Sequence, residues 1–297
     1  MIPTLAARAP AKVNLTLRVQ GRRADGYHDI ESLVVFADEA DRLTLRVGPG
    51  LDLAIRGPNA RACGALANNL VLKAAYALAA RIPALKTGRF TLTKRLPVAA
   101  GLGGGSADAA AALRLLARAN RLRRDDPRVI AAAREAGADV PVCLDPRPRV
   151  MRGVGEVLSA PLALRRLPAV LVNPGVVLST AAVFRAHAAG AGAGRAASGL
   201  AAVSIPRGRD ALNELLSRYP NDLEEAALSL APAVADVLAA LRAFPQCRLA
   251  RMSGSGATCF ALFGSAREAD AAARRLRARH PKWWVRGVAL GAGETDG

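Results

Sequence analysis

Aromatic residues are scarce, at 4% of a 297-residue chain. With so few flat faces there is little for nucleic-acid bases to stack on, although a net charge of +18 would draw a polyanion. Cysteine is sparse too. Cys63, Cys143, Cys247 and Cys259 form no CxxC pair, which argues against a zinc site or a disulfide framework and fits a reducing cytoplasm. The three histidines, His28, His187 and His280, lack metal-ligand spacing. No uninterrupted apolar run approaches the roughly 18 residues of a membrane span, and the opening "MIPTLAARAPAKVNL" lacks the apolar core of a signal peptide. Acidic residues number 24 against 42 Lys and Arg. That surplus suits nucleic acid, a membrane surface or acidic small substrates, or it is the solvated face of arginine-rich helices such as "ARRLRARH".

What the chain does have is apolar residues, 52% of it, enough for a large core, and a length that fits two domains better than one. It also has the stretch "PVAAGLGGGSADAAAAL" at 97–113. Glycines there allow positive φ and a close approach to the backbone, and the helix that follows aims free N–H groups at whatever lies in front of it. Ser106 suits an N-cap for that helix. An anion, phosphate first, is the ligand this pattern implies; a tight turn in a chain rich in small residues is the alternative. No Lys-Ser/Thr pair follows the last glycine, so the loop is not a Walker A loop. No βαβ repeat with a suitably spaced acid surrounds it, so it is not a dinucleotide fingerprint.

Alternation of apolar residues predicts strands at 12–19, 42–47, 51–56 and 89–96, and helical spacing predicts helices at 69–81, 106–119 and 128–136. The second half predicts strands near 149–152, 168–173, 247–252, 257–263 and 284–290. Helices are expected there at 180–187, 208–218, 221–228, 231–243 and 266–279. The segment 188–207 reads as an irregular excursion. No internal repeat is present, and the boundary between domains falls just after "GVGE" at 153–156, giving 1–157 and 158–297.

Several polar residues stand out against this frame. Lys12 and Asn14 interrupt an apolar strand, either as its solvent face or as functional groups. Asp139 in "GADVPVCL" is either a cap or turn residue or a base. Tyr27 and His28 in "DGYHD" are either part of a hairpin turn or a ring-and-edge pair suited to a base. A second glycine cluster, "MSGSGATCFALF" at 252–263, is either a hairpin turn or a second phosphate loop.

In order along the chain, "AKVNLTLRV", "DGYHDIESLVVF", "NNLVLKAA", "LPVAAGLGGGSADAAAAL", "GADVPVCL", "GVGE", "NDLE" and "MSGSGATCF" resemble the GHMP kinase superfamily, from about residue 10 to 290. The first two of these are similar to the branch that phosphorylates diphosphocytidyl methylerythritol in the non-mevalonate isoprenoid route. The resemblance implies an α+β kinase of two domains with ATP and substrate meeting in the cleft between them. It implies that Pro97, Val98, Ala99, Ala100, Gly101, Leu102, Gly103, Gly104, Gly105, Ser106 and Ala107 wrap the ATP phosphates, with Asn68 and Lys94 on the adenosine side. It further implies Asp139 as the base for the substrate hydroxyl, Lys12 beside it to neutralise the transferring phosphoryl group, and Asn14 to orient the alcohol. Tyr27 and His28 match the cytosine-recognition pair, with Phe184 as the ring on the other face and Thr180 nearby. Mg²⁺ is the implied cofactor besides ATP, and Ser106 and Asp108 are its nearest candidate ligands, Asp108 otherwise being a first-turn acid favoured by the helix dipole. The partner is then a small-molecule substrate, with neither nucleic acid nor membrane. Another GHMP kinase, acting on a mevalonate- or homoserine-type alcohol, is the alternative, and a nucleic-acid-binding module is a more distant one. The chain departs from the pattern at Ala181, where relatives often carry proline, and at Arg147 and Arg149 in "DPRPRV".

Overall fold

The computed structural model describes residues 4–190, 205–206 and 208–291. The first half runs β1 (Thr4–Asn14), β2 (Arg18–Arg22), β3 (His28–Val47), β4 (Leu51–Arg56), two 3-10 turns (Ala60–Cys63 and Leu66–Asn68), α1 (Leu70–Arg81), β5 (Gly88–Thr93), α2 (Gly104–Ala119), α3 (Pro127–Ala136), α4 (Val140–Leu144) and β6 (Arg149–Gly153). It continues with β7 (Val157–Leu158), β8 (Leu167–Asn173), α5 (Thr180–Gly190), α6 (Arg209–Arg218), α7 (Glu224–Leu230), α8 (Ala233–Arg242), β9 (Leu249–Met252), β10 (Cys259–Leu262), α9 (Ala266–Arg279) and β11 (Trp284–Gly291). Helices and a largely antiparallel sheet make an α+β fold, as the sequence implies.

All eleven of these strands join one sheet. Its spine is β3, whose 20 residues pair in turn with β2, β6, β1, β11 and β5. Strand β11 lies between β3 and β8, so the last strand ties the two halves of the chain together. Three apolar clusters fill the structure. In the first, α1, α2 and α3 bury alanine-rich and leucine-rich faces against β1, β3 and β5. The second packs α7, α8 and α9 on β8 and β10. The third draws on both halves, joining Val13, Leu15, Leu33 and Leu102 to Leu171, Leu216 and Phe260. Leu96 and Leu102, on either side of residues 97–101, are both fully buried in this third cluster. Each contributes roughly 1.5–3 kcal/mol by burial and pins one end of the glycine loop.

Three local differences from the sequence reading have physical causes. The strand expected at 12–19 is broken: β1 stops at Asn14 and β2 begins at Arg18. At the break the Thr16 hydroxyl accepts the Leu33 N–H at 2.9 Å and the Leu15 N–H bonds the Leu33 carbonyl at 2.8 Å. Alternation also suggested a solvent face, yet Lys12, Asn14 and Thr16 are all buried, because loops from both halves of the chain cover that side. Helix α2 begins at Gly104, two residues before the expected N-cap Ser106, and its N-cap is Gly103 in the left-handed region with φ +59°. Helix α5 runs on to Gly190, into the segment expected to be irregular; residues 191–204 and 207 of that segment lie outside the described residues.

Candidate active site

The glycine loop leads into α2 with its first amide groups uncapped. Gly103 makes no side-chain cap hydrogen bond, and a helix start of this kind presents free N–H groups and the positive end of the dipole to an anion. The loop is also tightly held. Ala99 takes φ +52°, which a residue with a Cβ adopts only at a cost. Gly101 has φ +74°, and a Cβ on it would lie 2.4 Å from the Ser253 carbonyl oxygen. The second glycine cluster is a hairpin turn. Strands β9 and β10 make an antiparallel hairpin, and its connecting loop lies against the first loop. Thr258 donates its N–H to the Ala100 carbonyl at 3.1 Å, and the Ser253 hydroxyl donates to the Gly101 carbonyl at 3.0 Å.

Lys12 and Asp139 meet beside this loop. The Lys12 Nζ lies 2.7 Å from Asp139 Oδ1, with the lysine side chain 5% exposed and the aspartate 36%. Lys12 is fixed from both directions. Its N–H donates to the Leu102 carbonyl at 2.9 Å, and its side chain runs so close to Gly103 that a Cβ there would sit 3.3 Å from it. Asp139 stands at the N-cap position of α4 but makes no cap bond, so the cap reading gives way to an ion pair. Two residues after Lys12 on β1, Asn14 Nδ2 donates to the Ser32 hydroxyl at 2.7 Å, and the Asn14 N–H donates to the Ser253 hydroxyl at 3.1 Å. An ammonium paired with a partly exposed carboxylate thus lies beside a helix start with free amides, groups of the kind that phosphoryl transfer to an alcohol requires.

The turn that carries Asp139 has a backstop in "GVGE". Gly155, at φ +125°, packs so closely that a Cβ would lie 2.9 Å from the carbonyl oxygen of Ala138, the residue before Asp139. Gly155→Ala is expected to displace that turn and lower kcat about ten-fold, leaving the KM for ATP within two-fold, in steady-state assays of ADP release.

Lys94 is buried beneath the start of α2. Its Nζ bonds Asp41 Oδ2 at 2.6 Å and Asp108 Oδ2 at 2.5 Å, and a Cβ on Gly104 would lie 3.1 Å from it. The other Asp41 oxygen accepts the N–H groups of Arg95 and Leu96, the latter at 2.9 Å, at the entry to the loop. Burial, with the Asp41 charge adding, pushes the Asp108 carboxyl up to about 8 against the pull of the Lys94 ammonium. Those same two carboxylates hold Lys94 above its ordinary value despite burial. Asp108 is not a first-turn acid, since α2 has none; it is an interior residue with one oxygen on Lys94 and the other buried without a partner. Asn68 is exposed at the end of the second 3-10 turn, just ahead of Asn69, which caps α1.

Of the base-recognition candidates, the structure brings His28 and Phe184 together, with ring centroids 4.9 Å apart and planes 26° from parallel. Tyr27 stands apart, 62% exposed, in the turn before β3. It is His28, not Tyr27, whose ring lies against Phe184. Burial lowers the His28 pKa, and the charges of Arg22 and His187 add to the effect, so its ring is neutral at pH 7. Its Nε2 is buried and has no hydrogen-bond partner. Thr180 opens α5 and its hydroxyl lies 2.9 Å from that of Ser255. Arg147 and Arg149 both pair with Asp145, the first at 2.5 Å.

Ser253, Ser255, Ser32 and Asp41 belong to this assembly without having been singled out from the sequence. The first two lie inside a quoted motif whose role stayed open. Asp41 sits in mid-strand, and nothing in its neighbours signals that a lysine 53 residues away will meet it.

Two family models match, the GHMP kinases N-terminal domain over residues 69–145 and the GHMP kinases C-terminal over 197–282. The glycine loop, Asp139 and helices α6 to α9 fall within them. A 4-diphosphocytidyl-2-C-methyl-D-erythritol kinase of Methylobacterium radiotolerans is 60% identical over 95% of this chain and 97% of its own length. One from Rhodopseudomonas palustris is 57% identical over 96% and 98%. A crystal structure of 4-(cytidine 5'-diphospho)-2C-methyl-D-erythritol kinase superposes with a TM-score of 0.74 at 37% identity, covering 97% of this chain and 100% of that one. The chain belongs to the 4-diphosphocytidyl-2-C-methyl-D-erythritol kinase family of GHMP kinases. No helix among the described residues is long and apolar enough to cross a membrane.

Proposed function

We propose that this enzyme transfers the γ-phosphoryl group of ATP to the 2-hydroxyl of 4-diphosphocytidyl-2-C-methyl-D-erythritol, releasing ADP. The observation that carries the reading is the Lys12–Asp139 pair, 2.7 Å apart and packed against the glycine loop. The loop from Pro97 to Ala107 cradles the phosphates with its amides. Asp139 takes the proton of the attacking hydroxyl, and Lys12 offsets charge gathering on the phosphoryl oxygens. Asn14 orients the alcohol. Residues 1–157 form the ATP-binding part and 158–297 complete the substrate pocket. Asn68 and Lys94 lie toward the nucleoside, Lys94 through the helix start it supports.

Mg²⁺ would enter with the nucleotide and neutralise charge on its β- and γ-phosphates. Among the described residues no group of three or more His, Cys, Asp or Glu gathers into a metal site, and Asp108 is buried and bonded to Lys94. Ser106, on the first turn of α2, is the side chain that fits. A Mg²⁺ ion that keeps phosphate and water oxygens as most of its ligands needs little more from the protein.

The cytosine is read where His28 and Phe184 stack. A neutral imidazole with an unpartnered nitrogen keeps an acceptor for the exocyclic amine of cytosine, which uracil lacks. Tyr27, free at the rim, closes over the base as substrate binds, with Thr180 bordering the pocket. Phe184→Ala and Tyr27→Ala are each expected to raise the KM for the polyol about ten-fold or more and leave that for ATP nearly unchanged. His28→Ala should narrow the preference for the cytosine substrate over its uracil counterpart. Equal shifts in both KM values would remove these residues from the substrate site. Activity itself is tested by ADP release with a panel of alcohols; turnover of mevalonate or homoserine in preference to the diphosphocytidyl polyol would refute the assignment.

A further inference from the structure

The "NDLE" motif takes no part in the reaction as proposed, yet it joins the two walls of the site. On one side it grips the start of the chain. The Leu17 N–H donates to the Pro220 carbonyl at 3.2 Å, the Asp222 N–H to the Leu17 carbonyl at 2.8 Å, and the Val19 N–H to Asp222 Oδ2 at 2.9 Å. On the other side it grips the β9–β10 loop. Asn221 Nδ2 donates to the Met252 carbonyl at 2.9 Å and the Gly254 carbonyl at 2.8 Å, and Glu224 Oε2 accepts the Met252 N–H at 2.8 Å.

Asn221 is the centre of this junction. It is 5% exposed, and its Oδ1 accepts the Leu223 N–H at 3.0 Å, so both ends of the amide are used. Two carbonyls face the nitrogen and an N–H faces the oxygen, which admits one orientation only. The loop it holds is the one that touches both ligand-binding segments. The Ser253 hydroxyl bridges the Asn14 N–H and the Gly101 carbonyl. Gly254, at φ +58°, lies so near that a Cβ would sit 3.2 Å from the Gly101 carbonyl oxygen and 3.3 Å from Asn14 Oδ1. A shift of Gly254 therefore displaces the phosphate loop and the alcohol-orienting residue together.

We infer that Asn221 is a positioning residue for both substrates, holding the 253–256 turn at the height where the glycine loop and Asn14 are correctly spaced. The inference rests on the reading of residues 97–107 as the ATP loop and Asn14 as a substrate residue. It is tested with Asn221→Ala, which removes the amide, and Asn221→Asp, which keeps its shape but turns an oxygen toward two carbonyls. Steady-state ADP release is measured with ATP and the diphosphocytidyl polyol varied separately, alongside thermal melts.

The expected result is a rise of about ten-fold or more in both KM values. A residue needed only for folding would reduce the amount of active enzyme, and so the apparent kcat, without moving either KM. Even a partly unfolded preparation reports this difference. Ser265→Ala, which breaks the capping box at the start of α9 away from the site, is the control. It should lower the melting temperature and leave both KM values as they were. KM values within two-fold of wild type in both Asn221 variants, or a change confined to one substrate, would overturn the inference. A wild-type enzyme that fails to turn over the polyol with ATP would instead overturn the reading beneath it.

Discussion

Asp139→Asn is expected to lower kcat by roughly three orders of magnitude while the protein melts where the wild type does. The asparagine fills the same space and keeps an oxygen for Lys12 Nζ, 2.7 Å away in the native pair. Helix α4 loses no cap, because the aspartate makes none. What disappears is the carboxylate that receives the proton of the alcohol. Asp139→Ala should be equally inactive but less stable, since it leaves the ammonium of a lysine side chain only 5% exposed without its partner. Lys12→Met is the complementary test. It preserves the packing of the stem on Gly103 and removes the charge. A loss of about two to three orders of magnitude in kcat, with the polyol still bound, is expected. Asp139→Asn retaining a tenth of wild-type turnover would show that another group takes the proton.

Gly101→Ala should abolish measurable ATP binding by calorimetry, a weakening of at least about a hundred-fold. Two effects add. A non-glycine residue at φ +74° pays about 1–2 kcal/mol for the left-handed backbone. More important, its Cβ would stand 2.4 Å from the Ser253 oxygen and 2.8 Å from that of Gly256. Both are main-chain atoms of the opposing loop and cannot rotate aside, so the two loops must part and the phosphate amides lose their alignment. Gly103→Val should act on the same pocket by a different route, pressing on the Lys12 side chain 3.3 Å away and straining the N-cap of α2. ATP affinity unchanged in both variants would reduce the glycines to turn formers.

Much of this was legible before any coordinates. Helices such as α1, α3 and α9 lie within a residue of where apolar spacing puts them, because each buries a single stripe whose period is set by the helix itself. The glycine loop stood out through composition, with four of the five positions 101–105 lacking a side chain. Where the reading went astray, the cause lay outside the local window. Lys12 was as consistent with a solvated strand face as with a site, since alternation reports the period of a strand and not what covers its second face. His28 meets Phe184 while Tyr27 does not, because which ring reaches Phe184 depends on how the turn before β3 is oriented. Asp108, four residues into α2, looked available to a metal until its partners were seen to be Lys94 and, beyond it, Asp41.

Sequence alone showed most of the elements and the family, because helix and strand periods and runs of glycine are properties of short stretches of chain. Tertiary structure decided the pairings. Lys12 reaches Asp139 across 127 positions, Ser253 reaches Gly101 across 152, and Asn221 binds the Gly254 carbonyl from 33 residues away. Such contacts are fixed by how the three apolar clusters close on the sheet, and the free energy of that closure belongs to the whole chain and to no segment of it.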